Sequence, residues 1–183
     1  MNPLWWIAII GGAIVLIAIV IYNSLVQIKN QVENSWAQID VQLKRRFDLI
    51  PNLIETVKGY AKHEKGVLEG VTKARTAFMD AKSPKEMANA ENMLSGTLKT
   101  LFAVSENYPK LQANENFLQL QEELSGTESK IAYARQHYND MVMEYNTKVQ
   151  TFPTNMFAKL FSFGQKELFD VPEAERKNVK VEF

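Results

Sequence analysis

Leu4 to Tyr22 reads LWWIAIIGGAIVLIAIVIY, an uncharged and almost wholly apolar run. Wound as an α-helix, it rises about 28 Å, close to the roughly 30 Å hydrocarbon core of a bilayer. Trp5 and Trp6 stand at one edge and Tyr22 at the other, the two depths that aromatic rings prefer. A cleaved signal peptide would need a basic n-region and a small-residue cleavage site. Met1-Asn2-Pro3 holds no basic side chain and no Ala-x-Ala follows the run. Residues 4–22 are therefore expected to be a transmembrane helix, with residues 1–3 a short tail beyond it. Lys29 follows the span and no Lys or Arg precedes it, so the positive-inside tendency puts the C-terminal portion in the cytoplasm. Ala8 and Gly12 form a small-xxx-small pair that lets two spans approach, the basis for expecting a homo-oligomer.

Working outward, the chain keeps a helical pattern. Leu25, Ile28, Val32, Trp36, Ile39, Leu43 and Phe47 recur at 3–4 spacing, one apolar stripe continuing from the span. Pro51 cannot carry on the hydrogen-bond ladder, so a kink or corner is expected at Ile50-Pro51. A second helix is read from Pro51 to Asp80, on Ile54, Val57, Ala61, Leu68, Val71, Ala74 and Phe78. Ser83-Pro84-Lys85-Glu86 is a capping box with Pro at the first helical position and opens a third helix to about Ser105. Asn114 is the expected cap of a fourth, to about Gln150, interrupted at Gly126. Four helices with one apolar face each must bury those faces together. The fold class predicted is all-α: the single transmembrane helix continues into an antiparallel four-helix bundle over 23–151, followed by a Phe-rich segment over 152–183. A long dimeric coiled coil is the alternative.

Composition narrows the function. Lys+Arg and Asp+Glu each number 21 among the 183 residues. Zero formal charge argues against a general nucleic-acid binder, which needs a standing positive field. The absence of cysteine removes disulfides, thiolate zinc sites and Cys nucleophiles.

Several segments together resemble the bacterial LemA family. They are Tyr22-Asn23-Ser24-Leu25-Val26, Trp36-Ala37-Gln38-Ile39-Asp40-Val41-Gln42-Leu43-Lys44-Arg45-Arg46, Asp48-Leu49-Ile50-Pro51-Asn52-Leu53-Ile54-Glu55-Thr56-Val57 and Tyr60-Ala61-Lys62-His63-Glu64. Further on come Ser105-Glu106-Asn107-Tyr108-Pro109, Gly126-Thr127-Glu128, Tyr138-Asn139, Tyr145-Asn146-Thr147 and Phe152-Pro153. Ser129 stands where the family commonly has Asn. The resemblance implies a single-pass protein of the bacterial inner membrane, its N-terminus outside and its helical bundle on the cytoplasmic side. It implies no established enzymatic activity, and a similar branch in magnetosome-forming bacteria is tied to organelle-membrane formation.

No catalytic constellation is read from the residues, and no cofactor, metal or small-molecule substrate is expected. His63-Glu64 begins like a zincin motif, but Val67 occupies the place of the second ligand. A di-metal bundle needs Glu-x-x-His pairs, and neither His63 nor His137 has a Glu three residues before it. Asp48, Asn52 and Glu55 form one line beside Arg45 and Arg46. That cluster is read chiefly as an inter-helix polar network with Arg75 or Arg135, and otherwise as a partner contact. Six of the ten Phe fall in the last 32 residues. A fourth helix returning toward the bilayer would deliver Phe157, Phe161 and Phe163 to the membrane surface or to a partner. The alternative is that these rings close the end of the bundle.

The function expected is therefore a non-enzymatic, membrane-anchored scaffold or adaptor, with the lipid bilayer and other membrane proteins as partners. The alternative is a sensor or regulatory subunit of a membrane protease or envelope-stress complex, with Gly59, Gly66, Gly70 and Gly126 as its hinges.

Overall fold

The computed structural model describes residues 3–61 and 64–169, and not the side chains at 3, 4 and 8. The expectations at Ala8, at His63 and beyond residue 169 lie outside the described residues. Among those described, all regular structure is helical. The order is α1 (Pro3–Asp48), α2 (Ile50–Lys58), α3 (Lys65–Asp80), α4 (Pro84–Ser105), α5 (Pro109–Gln112), α6 (Glu115–Gln150) and α7 (Thr154–Leu160).

Helix α1 has two surfaces in sequence along its length. Its large apolar residues from Trp5 to Val20 are exposed, Trp5 and Val20 both to 68%, while Ala18 and Ile21 are half-buried. From Leu25 the 3–4 stripe sinks: Leu25, Ile28, Val32, Ile39, Leu43 and Phe47 are all buried. The change occurs inside one unbroken helix, where the sequence passes from all-round apolar to one-sided.

The kink or corner expected at Ile50-Pro51 falls at a one-residue break, with α1 ending at Asp48 and α2 starting at Ile50. Leu49 keeps right-handed helical angles (φ −75°, ψ −20°), and the Leu53 amide still donates to the Leu49 carbonyl at 3.1 Å. Pro51 falls in the first turn of α2, where a missing N–H leaves nothing unsatisfied. Helical order stops a second time at Gly59, and α3 begins at Lys65. The helix expected over Pro51–Asp80 is thus two helices. Gly126, expected to interrupt the fourth helix, lies within an unbroken α6.

The two capping signals are realised. Ser83 Oγ accepts from the Glu86 amide at 3.3 Å, and Glu86 Oε2 reaches back to the Lys82 amide at 2.7 Å. Asn114 Oδ1 accepts from the Phe117 amide at 3.0 Å. Each satisfies amides that a helix start leaves without partners.

The described residues fall into two compact units, one within Met1–Gln38 and Ala134–Leu168, the other within Ile39–Tyr133 and Phe169–Phe183. In the Ile39–Tyr133 unit, α3 packs along α4 across the short 81–83 connection. Gly70 allows that approach, because a Cβ there would stand 2.8 Å from Thr97 Cγ2. Phe47 stacks on Phe78 with ring centroids 4.1 Å apart, and Phe102 meets Phe117 edge-on at 6.1 Å. In the other unit Trp36 meets Tyr138 edge-on at 5.4 Å.

Candidate functional site

Two polar or aromatic constellations stand out, one in each unit. The first is built on Arg46, on the same helix as the apolar stripe but 1% exposed. Its Nη1 donates to Glu91 Oε1 on α4 at 2.7 Å, and Nη2 lies 3.5 Å from Glu128 Oε2 on α6. Ser95 Oγ donates to the same Glu91 oxygen at 3.2 Å. Burial lowers the Arg46 pKa and the Glu128 charge pulls it back up. Arg46 Nε and Gln42 Oε1 are both buried without a hydrogen-bond partner. A cleft of about 160 Å³ opens beside Arg46, walled by Ser95, Lys99, Phe102, Gln121 and Ser125. Chemically this is a salt-bridged crosslink tying three helices.

The expected polar line is distributed differently. Arg45 is exposed and lies 3.9 Å from Glu123. Asp48, Asn52 and Glu55 are exposed, Arg75 is half-buried and Arg135 is buried. Arg46 thus pairs with Glu91 and Glu128. Neither acid was singled out, because Glu91 sits in a window read for its Met and Leu residues and Glu128 in the Gly126-Thr127-Glu128 segment. Among the described residues no group of three His, Asp or Glu is placed to hold a metal.

The second constellation lies at the end of the apolar run. The Tyr22 ring meets Phe161 edge-on at 5.0 Å and Phe163 at 5.9 Å. Phe157 and Phe163 are half-buried, while Phe161 remains 42% exposed. Over residues 164–169 the chain is not helical and is strapped to α6 by side chains. Tyr145 Oη donates to the Gly164 carbonyl at 2.9 Å. Asn146 grips the Lys166 backbone twice, Nδ2 donating to its carbonyl at 2.8 Å and Oδ1 accepting its amide at 2.9 Å. Tyr138 Oη donates to the Glu167 carbonyl at 3.0 Å, and Lys166 Nζ lies 3.5 Å from Glu33 Oε1 on α1. Burial, then the Glu33 charge, raises the Tyr145 pKa; burial, then Glu167, raises that of Tyr138. Tyr138, Tyr145 and Asn146 all come from the Tyr-Asn segments of α6. Their hydrogen-bonding task depends on a strap that no helical pattern announces.

The LemA family model matches residues 35–183, most of the chain. The chain belongs to the LemA family. A protein named LemA from Metamycoplasma hominis is 29% identical over 161 residues, covering 86% of this chain and 72% of its own. Two magnetosome proteins MamQ of Paramagnetospirillum magneticum are 22% identical over 174 residues, and MamQ of Magnetospirillum gryphiswaldense is 20% identical. The match covers 81% of this chain but 64% of the MamQ relatives. The LemA family model begins inside α1, beyond the apolar run. The Arg46 centre and the strapping residues of α6 all lie within it.

Proposed function

We propose that this LemA-family chain is a membrane-anchored helical scaffold that works by holding partners near the bilayer and performs no bond chemistry. The observation that carries the reading is the surface change within α1. The helix is long and apolar enough to cross a membrane. Its large apolar side chains from Trp5 to Val20 stand exposed, and the turns from Leu25 on are buried in a protein core. Exposing that much contiguous apolar surface to water is unfavourable, whereas lipid covers it at no such cost. Residues 4–22 are then the span.

The rest of the chain packs as an antiparallel four-helix bundle. Supporting this, Phe47–Phe78, Arg46–Glu91, Arg46–Glu128 and Phe102–Phe117 join α1, α3, α4 and α6 in the Ile39–Tyr133 unit. The bundle lies in the cytoplasm beneath the bacterial inner membrane, a reading supported by Lys29 after the span and no basic residue before it. Partners are other membrane proteins and a second copy. The latter is supported by the open space around Gly12, which leaves a smooth face on the span.

The absence of native cysteine makes the test clean. In spheroplasts, an impermeant maleimide is expected to label full-length chain carrying Asn2→Cys from outside, and Gln119→Cys only after lysis. Labelling of Gln119→Cys in sealed spheroplasts overturns the orientation, and release of the chain by alkaline carbonate overturns the anchor. A photo-crosslinking residue at exposed Tyr133 or Met143 is expected to capture a small reproducible set of membrane proteins. Capture that only tracks cellular abundance counts against the scaffold role.

A further inference from the structure

The rings on Tyr22 set where α7 lies relative to the anchor. Tyr22 closes the apolar run, so in the anchored chain its ring stands at the membrane–water interface. Phe161 and Phe163 touch that ring at 5.0 and 5.9 Å, and Phe161 directly follows α7. The short helix is therefore carried at interfacial depth. Its inward side is fixed by buried Ala158 and half-buried Phe157. Its outward side is apolar: Phe152 is 78% exposed, Met156 63% and Leu160 72%. Met156 and Leu160, four residues apart, share one face of α7, and Phe152 stands exposed in the turn just before it. A cluster of large apolar side chains beside a lipid-facing helix, with only Lys159 supplying charge in α7, has the composition of a surface seated in the headgroup–acyl boundary.

We propose that Phe152, Met156, Leu160 and Phe161 form an interfacial foot that inserts into the bilayer leaflet next to the span and fixes the depth of the first unit. The occupant of this face is the lipid surface. The inference rests on the anchor reading. The foot is also held by more than its own seven-residue helix, since Tyr145, Asn146 and Tyr138 clamp the chain immediately beyond it.

The test uses the full chain in vesicles of phosphatidylethanolamine and phosphatidylglycerol. Single substitutions Phe152→Cys, Met156→Cys and Leu160→Cys are labelled with an environment-sensitive nitrobenzoxadiazole. Ile14→Cys in the span and Tyr133→Cys on α6 serve as references. The three foot labels are expected to show blue-shifted emission, to be quenched by lipids with a doxyl group near the headgroup, and to resist aqueous iodide. Foot labels that follow Tyr133→Cys, while Ile14→Cys is quenched from the lipid, overturn the foot and leave the anchor standing. An Ile14→Cys label open to iodide overturns the anchor and the foot together. Disulfide-linked dimers through Met156→Cys at low protein-to-lipid ratio would show that a second copy covers this face and overturn the proposal. Labels at three separate positions keep the reading testable should one variant fail to fold.

Discussion

Arg46 takes a full charge into a core, and its worth depends on what it meets there. With Glu91 at 2.7 Å and both side chains nearly fully buried, loss of either partner strands the other charge at a cost of about 3–5 kcal/mol. Glu91→Met or Arg46→Met alone is expected to lower the thermal midpoint sharply. Arg46→Met with Glu91→Met is expected to cost much less than the two losses added, because no buried charge is left over. Calorimetry of the four proteins in detergent checks this, and additive losses would refute the coupling. Tyr145 makes a second residue-level case. Its hydroxyl needs a proton to donate to the Gly164 carbonyl, and burial followed by the Glu33 charge raises its pKa. The folded value lies above the unfolded value of about 10. The stabilisation is therefore complete below about pH 10 and is lost as pH rises through the higher folded value. Tyr145→Phe should lower stability at neutral pH by about 1 kcal/mol and should weaken the alkaline loss. An alkaline profile identical to wild type would show that the strap does not depend on this proton.

Among the elements, the glycines separate by what surrounds them. Gly70 faces Thr97 Cγ2 at 2.8 Å, and Thr97 is itself held by hydrogen bonds to the Met93 and Leu94 carbonyls. Gly70→Ala is expected to destabilise despite the gain in helix propensity, and Thr97→Ala in the same chain should relieve it. Gly126 has open space inside a continuous α6. Gly126→Ala should stabilise by about 1 kcal/mol, measured as the shift in denaturation midpoint. Slower hydrogen exchange across 120–132 would accompany it. If Gly126→Ala destabilises, the helix needs to bend there. The same helices show what a sequence discloses. The apolar stripe of α1 and the caps at Ser83 and Asn114 were legible, because periodicity and capping are local physics. The turn after Lys58 was not, because Pro51 is the louder signal and yet is harmless in a first turn. Arg46 was hidden inside Lys44-Arg45-Arg46, where only the heptad phase of Leu43 and Phe47 hints that one of three basic residues points inward. Glu91 was hidden for the converse reason, since nothing local marks a carboxylate whose partner is 45 positions away.

For the whole molecule, the decisive fact is that α1 has no joint between its exposed and its buried lengths. A rigid rod conveys rotation as well as position. One alanine inserted between Asn23 and Ser24 would twist everything above the insertion by about 100° and push it about 1.5 Å along the axis. Tyr22 would then swing away from Phe161 and Phe163, whereas seven inserted residues would bring the azimuth back to within about 20° at the expense of roughly 10 Å of height. In a Cys-free chain, a disulfide engineered between positions 22 and 161 reports this directly. It is expected to form in the parent and fail with either insertion, the first through lost phase and the second through lost height. In the anchored chain proposed above, the bilayer then acts as a key acts in a lock, setting the compass bearing of the first unit's outward faces as well as their distance from the lipid.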